Sequence, residues 1–401
     1  MTTRVPDAEF TDRLARVRDR LADTDADAGV FFGATAIEYL TGFHHIQTER
    51  PVCLVVTPDQ VSITVPRLEV ERVSQNSRID AVYSYFDYPG GTPIRELAET
   101  LADLGIETVA ADGDGAPGVM GYEGPTLSEF LDVSSQQWVS RMRWEKSDTE
   151  IDLIRESARW ANLGHRYLAE YTEVGAHPVT VSGRASTDAS QAMLDTLSEQ
   201  YAVRTRGGGP VHAGYISGTE TALPHGHTPN ERLAPGDVLI TGATANVDGY
   251  YSELERTMFV REYSDEQAHY FALMKEVQEI AIDAIAPGVP VHEIDEAVFA
   301  YAEEQGITDL LRHHVGHNIG LGAHEPPYLD RGWEAHVHDD ANDREDGDAE
   351  IAPGQVYTIE PGLYTDDEGY RHSDTVAVTE EGTETLTYFP RDIESNVVGR
   401  E

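Results

Sequence analysis

Apolar positions in the first 140 residues fall into short runs separated by amphipathic stretches. The runs at 28–32, 52–57, 61–65, 81–86 and 108–111 are rich in Val, Ile, Phe and Tyr and read as strands. Between them, 9–23, 67–77 and 93–104 carry the three-to-four residue spacing of helices. This alternation predicts an α/β domain with a mixed sheet, with a Gly/Pro loop over 113–124. The pattern restarts at Ser147, which forms a capping box with Glu150: the hydroxyl can accept from the third helical amide while the carboxylate reaches back to the cap amide. Ile151, Ile154, Ala158 and Ala161 then line one face of a helix predicted over 148–172. A helix over 187–200 and strands over 202–206, 238–241 and 250–259 are expected next. Helices over 264–285 and 291–305 follow, the first opened by a second capping box (Ser264, Gln267) and closed by Pro287 and Gly288, and then further strands. The expected architecture is α/β (α+β) in two domains, 1–145 and 146–401.

Charge narrows the partners. The 72 Asp and Glu against 29 Lys and Arg leave a formal charge of -43, which opposes binding to nucleic acid or to an anionic membrane surface. Disorder does not follow, because 40% of the residues are hydrophobic and recur with folded periods. Only Lys146 and Lys275 are lysines, and so acidic and lysine-poor a composition suits a surface exposed to molar salt, where charge repulsion is screened. The single cysteine, Cys53, excludes a disulfide framework and a cysteine-based zinc site. With no apolar stretch near 18 residues and no apolar N-terminal segment, a cytoplasmic protein is expected. Seven of the twelve residues 339–350 are acidic and read as a solvated loop. Gly207 to Gly209 lack the lysine and spacing of a phosphate loop.

Candidate chemistry gathers in four clusters of the second half: 223–227 with His225 and His227; 249–257 with Glu253 and Glu255; 313–327 with His313, His314, His317 and His324; and 358–374 with Glu360, Arg371, His372, Ser373 and Asp374. On a strand Glu253 and Glu255 project to one face, and neighbouring carboxylates are costly unless a cation, a proton or a metal lies between them.

In this order and at these distances, the four clusters resemble the creatinase, prolidase and methionine aminopeptidase superfamily, whose catalytic domain has the pita-bread fold. Residues 37–43 with Glu49, Arg50 and Pro51 resemble its creatinase-type N-terminal domain. The resemblance implies an enzyme, specifically a hydrolase, and a homodimer. It also implies a ligand set for two metal ions: two Asp, one His and two Glu. His317 and Glu360 match that set and Glu253 stands for the second Asp, whereas Thr241 and Gly242 occupy the first Asp position and Ser373 the last Glu position. Glu253, His317 and Glu360 supply at most two negative charges, too few for two divalent ions, so no metal cofactor is expected.

The match is nearest to the creatinase-type, metal-free members. It implies catalytic roles for His225, Glu255 and Glu360, and His317 joins them as a donor to a developing oxyanion. Substrate contacts are expected from His313, His324, Tyr328 and Arg50, with Ser373 as pocket lining. The leading expectation is cleavage of a C–N bond in a small nitrogenous substrate, of the amidinohydrolase or amidohydrolase kind. One alternative is an Xaa-Pro dipeptidase or aminopeptidase holding a single Mn, Zn or Co on Glu253, His317 and Glu360, with Asp374 or His372 completing the shell. Another is a catalytically inactive binding module.

Overall fold

The computed structural model describes residues 3–86, 92–115, 124–204, 208–332 and 349–399. Backbone contacts divide the chain into two compact units, one formed by Val5–Arg143 and the other running from Trp144 to the C-terminal strands. The acidic stretch at 339–348 lies outside the described residues.

In the first unit, β1 (Ala28–Phe31), β2 (Cys53–Val56), β3 (Val61–Pro66), β4 (Ala81–Tyr85), β5 (Thr108–Ala111) and β6 (Asp132–Ser135) form one sheet in the order β4-β3-β2-β1-β5-β6. Neighbours β1–β2 and β2–β3 are antiparallel and the other pairs parallel, as the mixed-sheet expectation required. Helices α1 (Asp7–Ala22), α2 (Ala34–Thr41), α3 (Val70–Val73), α4 (Pro93–Asp103) and α5 (Trp138–Met142) accompany it. From α4, Ile94, Leu97, Ala98 and Leu101 pack on Val30, Val55 and Val109, an apolar cluster that gives this sheet its core. The helix expected over 67–77 is reduced to a tight turn and one helical turn, in which only Glu69 and Val73 are buried. Strand β6 was not expected because Asp132 to Ser135 show no apolar alternation; an edge strand needs little.

The second unit opens with α6 (Asp148–Tyr171) and α7 (Pro178–Leu197). Ser147 caps α6 in the expected capping box, and α7 begins earlier than its apolar pattern suggested because Pro178 is preset for a first helical turn. Its strands are β7 (Val211–Ser217), β8 (Val238–Val247), β9 (Tyr250–Tyr251), β10 (Leu254–Glu255), β11 (Thr257–Val260), then, after α8 (Asp265–Ala284) and α9 (Val291–Gln305), β12 (Gly316–Asn318), β13 (Glu325–Leu329), β14 (Val356–Ile359), β15 (Gly362–Tyr364), β16 (Gly369–Arg371), β17 (Ser373–Thr379), β18 (Gly382–Thr385) and β19 (Val397–Val398). The main path is β13-β12-β14-β17-β10-β8-β11-β19, with β7 and β9 on β8 and β18 on β17, while β15 and β16 pair separately. The expected strand at 202–206 is absent over 202–204, and 205–206 lie outside the described residues; β7 is the strand that follows.

One face of this sheet is covered by helices. Ala213, Tyr215, Leu239, Ala243 and Met258 pack under α6 and α7, and Tyr357, Ile359, Val376 and Val378 under α8 and α9. Because side chains alternate along a strand, the intervening Gly242, Thr244, Glu253, Glu255, Thr358, Glu360, Ser373 and Thr375 face the other side. That face carries the chemistry.

Candidate metal centre and catalytic site

The pairing register brings the acidic residues together. Glu255 lies opposite Ser373 on β17, and Leu254 lies opposite both Ala243 and Asp374. Glu360 follows the end of β14, and His317 sits on β12 beside β14. Gly316 allows that approach: a Cβ there would lie 1.9 Å from the Thr358 carbonyl oxygen. The β12–β13 register shifts between His317 and Asn318, a bulge of the kind that re-aims a side chain.

Each acid has its own partner. Glu255 is held bidentate by Arg371, Nε to Oε2 at 2.5 Å and Nη2 to Oε1 at 2.9 Å. Arg371 Nη1 also donates to the Tyr364 hydroxyl (2.9 Å) and the Pro224 carbonyl (3.1 Å). The His313 Nδ1–H donates to the His314 carbonyl (2.8 Å), which leaves Nε2 to accept from Tyr364 (2.9 Å). Glu253 Oε1 accepts from Ser373 Oγ at 2.7 Å. His317 donates from Nδ1 to the Asn318 carbonyl (3.0 Å), while its Nε2 lies 3.1 Å from Glu360 Oε1, off the line a hydrogen bond needs. His314 Nε2 is 3.8 Å from the same oxygen, and the His324 ring stacks on His317 with centroids 3.9 Å apart.

Electrostatics express the crowding. Burial, and then the Glu360 and Glu255 charges, push Glu253 up to about 8. Glu255 is also raised by burial, which outweighs the pull of Arg371. Burial would depress His317, but Glu360 and Glu253 more than offset this and raise it to about 9. Burial would likewise raise Glu360, but the His317 contact and then Arg371 hold it down to about 2. Such a set stores negative charge that a bound cation would relieve.

The structure distributes the expected site residues as follows. Glu253, Glu255, Glu360 and His317 meet in one cluster, with His313, His314 and His324 around it. His225 is solvent-exposed in the loop after β7 and interacts electrostatically with His324. Tyr328 is half-buried on β13 with its ring 5.7 Å from His314, and Ser373 touches Glu253. Arg50 lies in the first unit, where it pairs with Glu49 at 2.5 Å. Neither residue suggested to complete a metal shell does so. Asp374 turns to the helix-covered face and pairs with Arg256 at 2.8 Å, and His372 is buried edge-on to Phe271.

Sequence reasoning placed Arg371 and His314 in the candidate clusters without giving either a role, and it missed Tyr364. Arg371 was readable: it has the strand parity of Ser373 and so faces Glu255. Tyr364 and His314 reach the site only through the β15–β16 hairpin and the turn before β12. No local pattern announces either contact.

Three overlapping groups place ligand atoms within 4.8 Å of one another: Glu253, His317 and His324; His314, His317 and Glu360; Glu253, Glu255 and Glu360. The buried His317 Nε2 without an aligned partner, facing carboxylates, is the donor arrangement a divalent transition metal takes. The residues therefore fit a metal.

Residues 13–143 match the family model described as Creatinase/Prolidase N-terminal domain, and residues 152–380 match that of Metallopeptidase family M24. The putative dipeptidase YkvY of Bacillus subtilis is 25% identical over 388 residues, covering 95% of this chain and 99% of that protein. The probable dipeptidase PepE of Mycobacterium bovis is 26% identical over 399 residues, covering 98% of each. The solved Xaa-Pro dipeptidase from Bacillus anthracis superposes with a TM-score of 0.76 at 22% identity, over 96% of this chain and 99% of that one, and shows the shared fold. These findings correct the expectation of no metal cofactor: the catalytic half matches a metallopeptidase family, and its acidic and histidine residues gather as candidate ligands. Two α/β domains, the second with the pita-bread fold, and a family match over more than half its length place the chain in metallopeptidase family M24, as a hydrolase of that peptidase type.

Proposed function

We propose that the protein hydrolyses the C–N bond of a small peptide-like substrate at a centre where Glu253, His317 and Glu360 hold one divalent cation, with His324 beside them. The observation that carries this reading is the buried His317 Nε2, set without an aligned partner among carboxylates in a chain of a metallopeptidase family. Charge favours one ion. Once a cation displaces the protons that Glu253 and His317 hold without it, Glu253, Glu255 and Glu360 carry three negative charges against the one positive charge of Arg371, so two remain to be neutralised. Gly242 and Ser373 bring no carboxylate for a second ion.

When bound, the cation supplies Lewis-acid polarisation of the scissile carbonyl and makes a bound water more acidic. The protein's own side chains do the rest. Arg371 fixes Glu255, and Tyr364, itself held by His313, accepts from Arg371, so hydrogen bonds hold the acidic wall of the cavity. His225 exchanges a proton between solvent and the leaving nitrogen, as an imidazole does in general acid–base catalysis. The substrate enters a cavity of about 380 Å3 beside Glu253 and Glu255, floored by Gly214, Gly242 and Thr244 with Ile216 on its side. This volume lies at the small end of the range for pockets that take a small-molecule ligand.

Dipeptides ending in proline are the first substrates to assay, following the relatives' printed activities. Mn2+-dependent cleavage that chelator abolishes and Glu360→Ala lowers at least 100-fold is expected; cleavage unaffected by either would overturn the reading. A second reading is cleavage of a C–N bond in a small nitrogenous compound of amidine type. The cavity at Gly242 favours it, because room replaces a carboxylate there. Turnover of guanidino compounds or cyclic amides, with Xaa-Pro dipeptides inert, would select it.

A further inference from the structure

The least ordinary ion pair in the catalytic unit lies behind the site. Lys146, one of two lysines among 29 basic residues, is 1% exposed at its side chain, and its partner Glu325 is 2% exposed at an Nζ–Oε2 distance of 3.2 Å. Taking both charges out of water is costly, so the pair alone is weak support for stability. Its neighbours show what it holds.

Lys146 Nζ also donates to the Asn318 side-chain oxygen, and Asn318 Nδ2 donates to the Trp144 carbonyl at 3.3 Å. The Asn318 main-chain carbonyl is the acceptor of the His317 Nδ1–H. On the other side, Glu325 Oε1 accepts from the Gly322 amide, and the Gly320 amide bonds the Gly322 carbonyl at 3.0 Å. The loop 319–324 thereby folds around the ion pair. Gly320 is needed for this: a Cβ there would lie 2.8 Å from Lys146 Cε. His324 ends that loop, stacked on His317.

We propose that Lys146, through Asn318 and Glu325, is the positioning residue for His317 and His324. It fixes His317 with Nδ1 protonated and Nε2 free for the cation, and holds His324 against its ring. Partners that orient metal-binding histidines change affinity about 10 to 100-fold when removed. This proposal rests on the single-cation reading above, and its test separates the two.

Removing Lys146 alone would take the lysine charge from a buried carboxylate, so the informative variant is Lys146→Met with Glu325→Gln, which removes both charges and keeps the volumes close. Lys146→Arg, which keeps the charge beside the crowded Gly320, is the second variant. Two readouts apply to protein shown folded by circular dichroism: Mn2+ affinity by calorimetry, and the NMR signal of the His317 Nδ1–H, which exchanges slowly while it is held to Asn318. The proposal expects Mn2+ binding at least 10-fold weaker in the double variant and loss of the slowly exchanging proton, with Lys146→Arg intermediate. Wild-type affinity with a retained proton signal in either folded variant overturns it, even if melting temperature has fallen. If wild-type protein binds no Mn2+, the cation reading fails while the proton signal still decides the role of Lys146.

Discussion

His372 packs edge-on against Phe271 with both ring nitrogens buried and without hydrogen-bond partners among the described residues. Burial, then the Arg256 and Arg391 charges, lower its proton affinity well below the usual histidine value. The unfolded chain therefore binds a proton near pH 6.5 that the folded protein refuses, so stability falls as pH drops below 6.5. The slope is about 1.4 kcal/mol per pH unit. His372→Leu is expected to be at least as stable as wild type at pH 7 and to lose less melting temperature between pH 6.5 and 5; a steeper loss in the variant would refute the sign. At the site, His225→Ala is expected to reduce kcat about 100 to 10,000-fold with an unchanged melting temperature, since the ring is exposed. Wild-type kcat in that variant removes His225 from the mechanism.

Elements set which residues meet. Strand β17 presents Ser373 to Glu253 in the site and Asp374 to Arg256 on the helix side, so one register sends two adjacent polar residues to opposite faces. Asp374 accepts from Arg256 (2.8 Å), Thr387 (2.6 Å) and Gln278 (3.1 Å), a buried network that ties β17 to the strand and helix beside it. Arg256→Met removes the nearest cation from that carboxylate, leaving Arg391 Nε at 3.7 Å, and is expected to cost about 3 kcal/mol in chemical denaturation. Arg256→Met with Asp374→Asn should recover most of the loss, and a double variant no better than the single one would contradict the coupling. The alternation that separates these faces was legible in the sequence, and with it the shared face of Glu253 and Glu255. The capping boxes at Ser147 and Ser264 likewise announced where α6 and α8 begin. What could not be read was pairing between distant strands. Glu255 meets Arg371 across 116 residues, and the ion-pair assignment follows from a register that no local pattern specifies. The metal expectation failed for a related reason: counting substituted positions weighed Gly242 and Ser373, but not the His317 nitrogen that folding places among the acids, 3.1 Å from Glu360.

For the whole molecule, the net charge of -43 acts over every surface at once. We propose that the acidic, lysine-poor exterior is suited to molar salt, where the screening length shrinks to about 3 Å. Melting temperature is expected to rise with KCl from dilute buffer to the molar range, and a flat profile would count against this. The same charge gives no information about the reaction, which depends on a few acids facing His317. The most direct measurement is therefore the metal content of protein loaded with Mn2+ and freed of excess by gel filtration. One Mn2+ per chain in the wild type, and none in His317→Ala or Glu360→Ala, is the predicted result. Two ions per chain, or one retained by both variants, would contradict a single-cation centre on Glu253, His317 and Glu360.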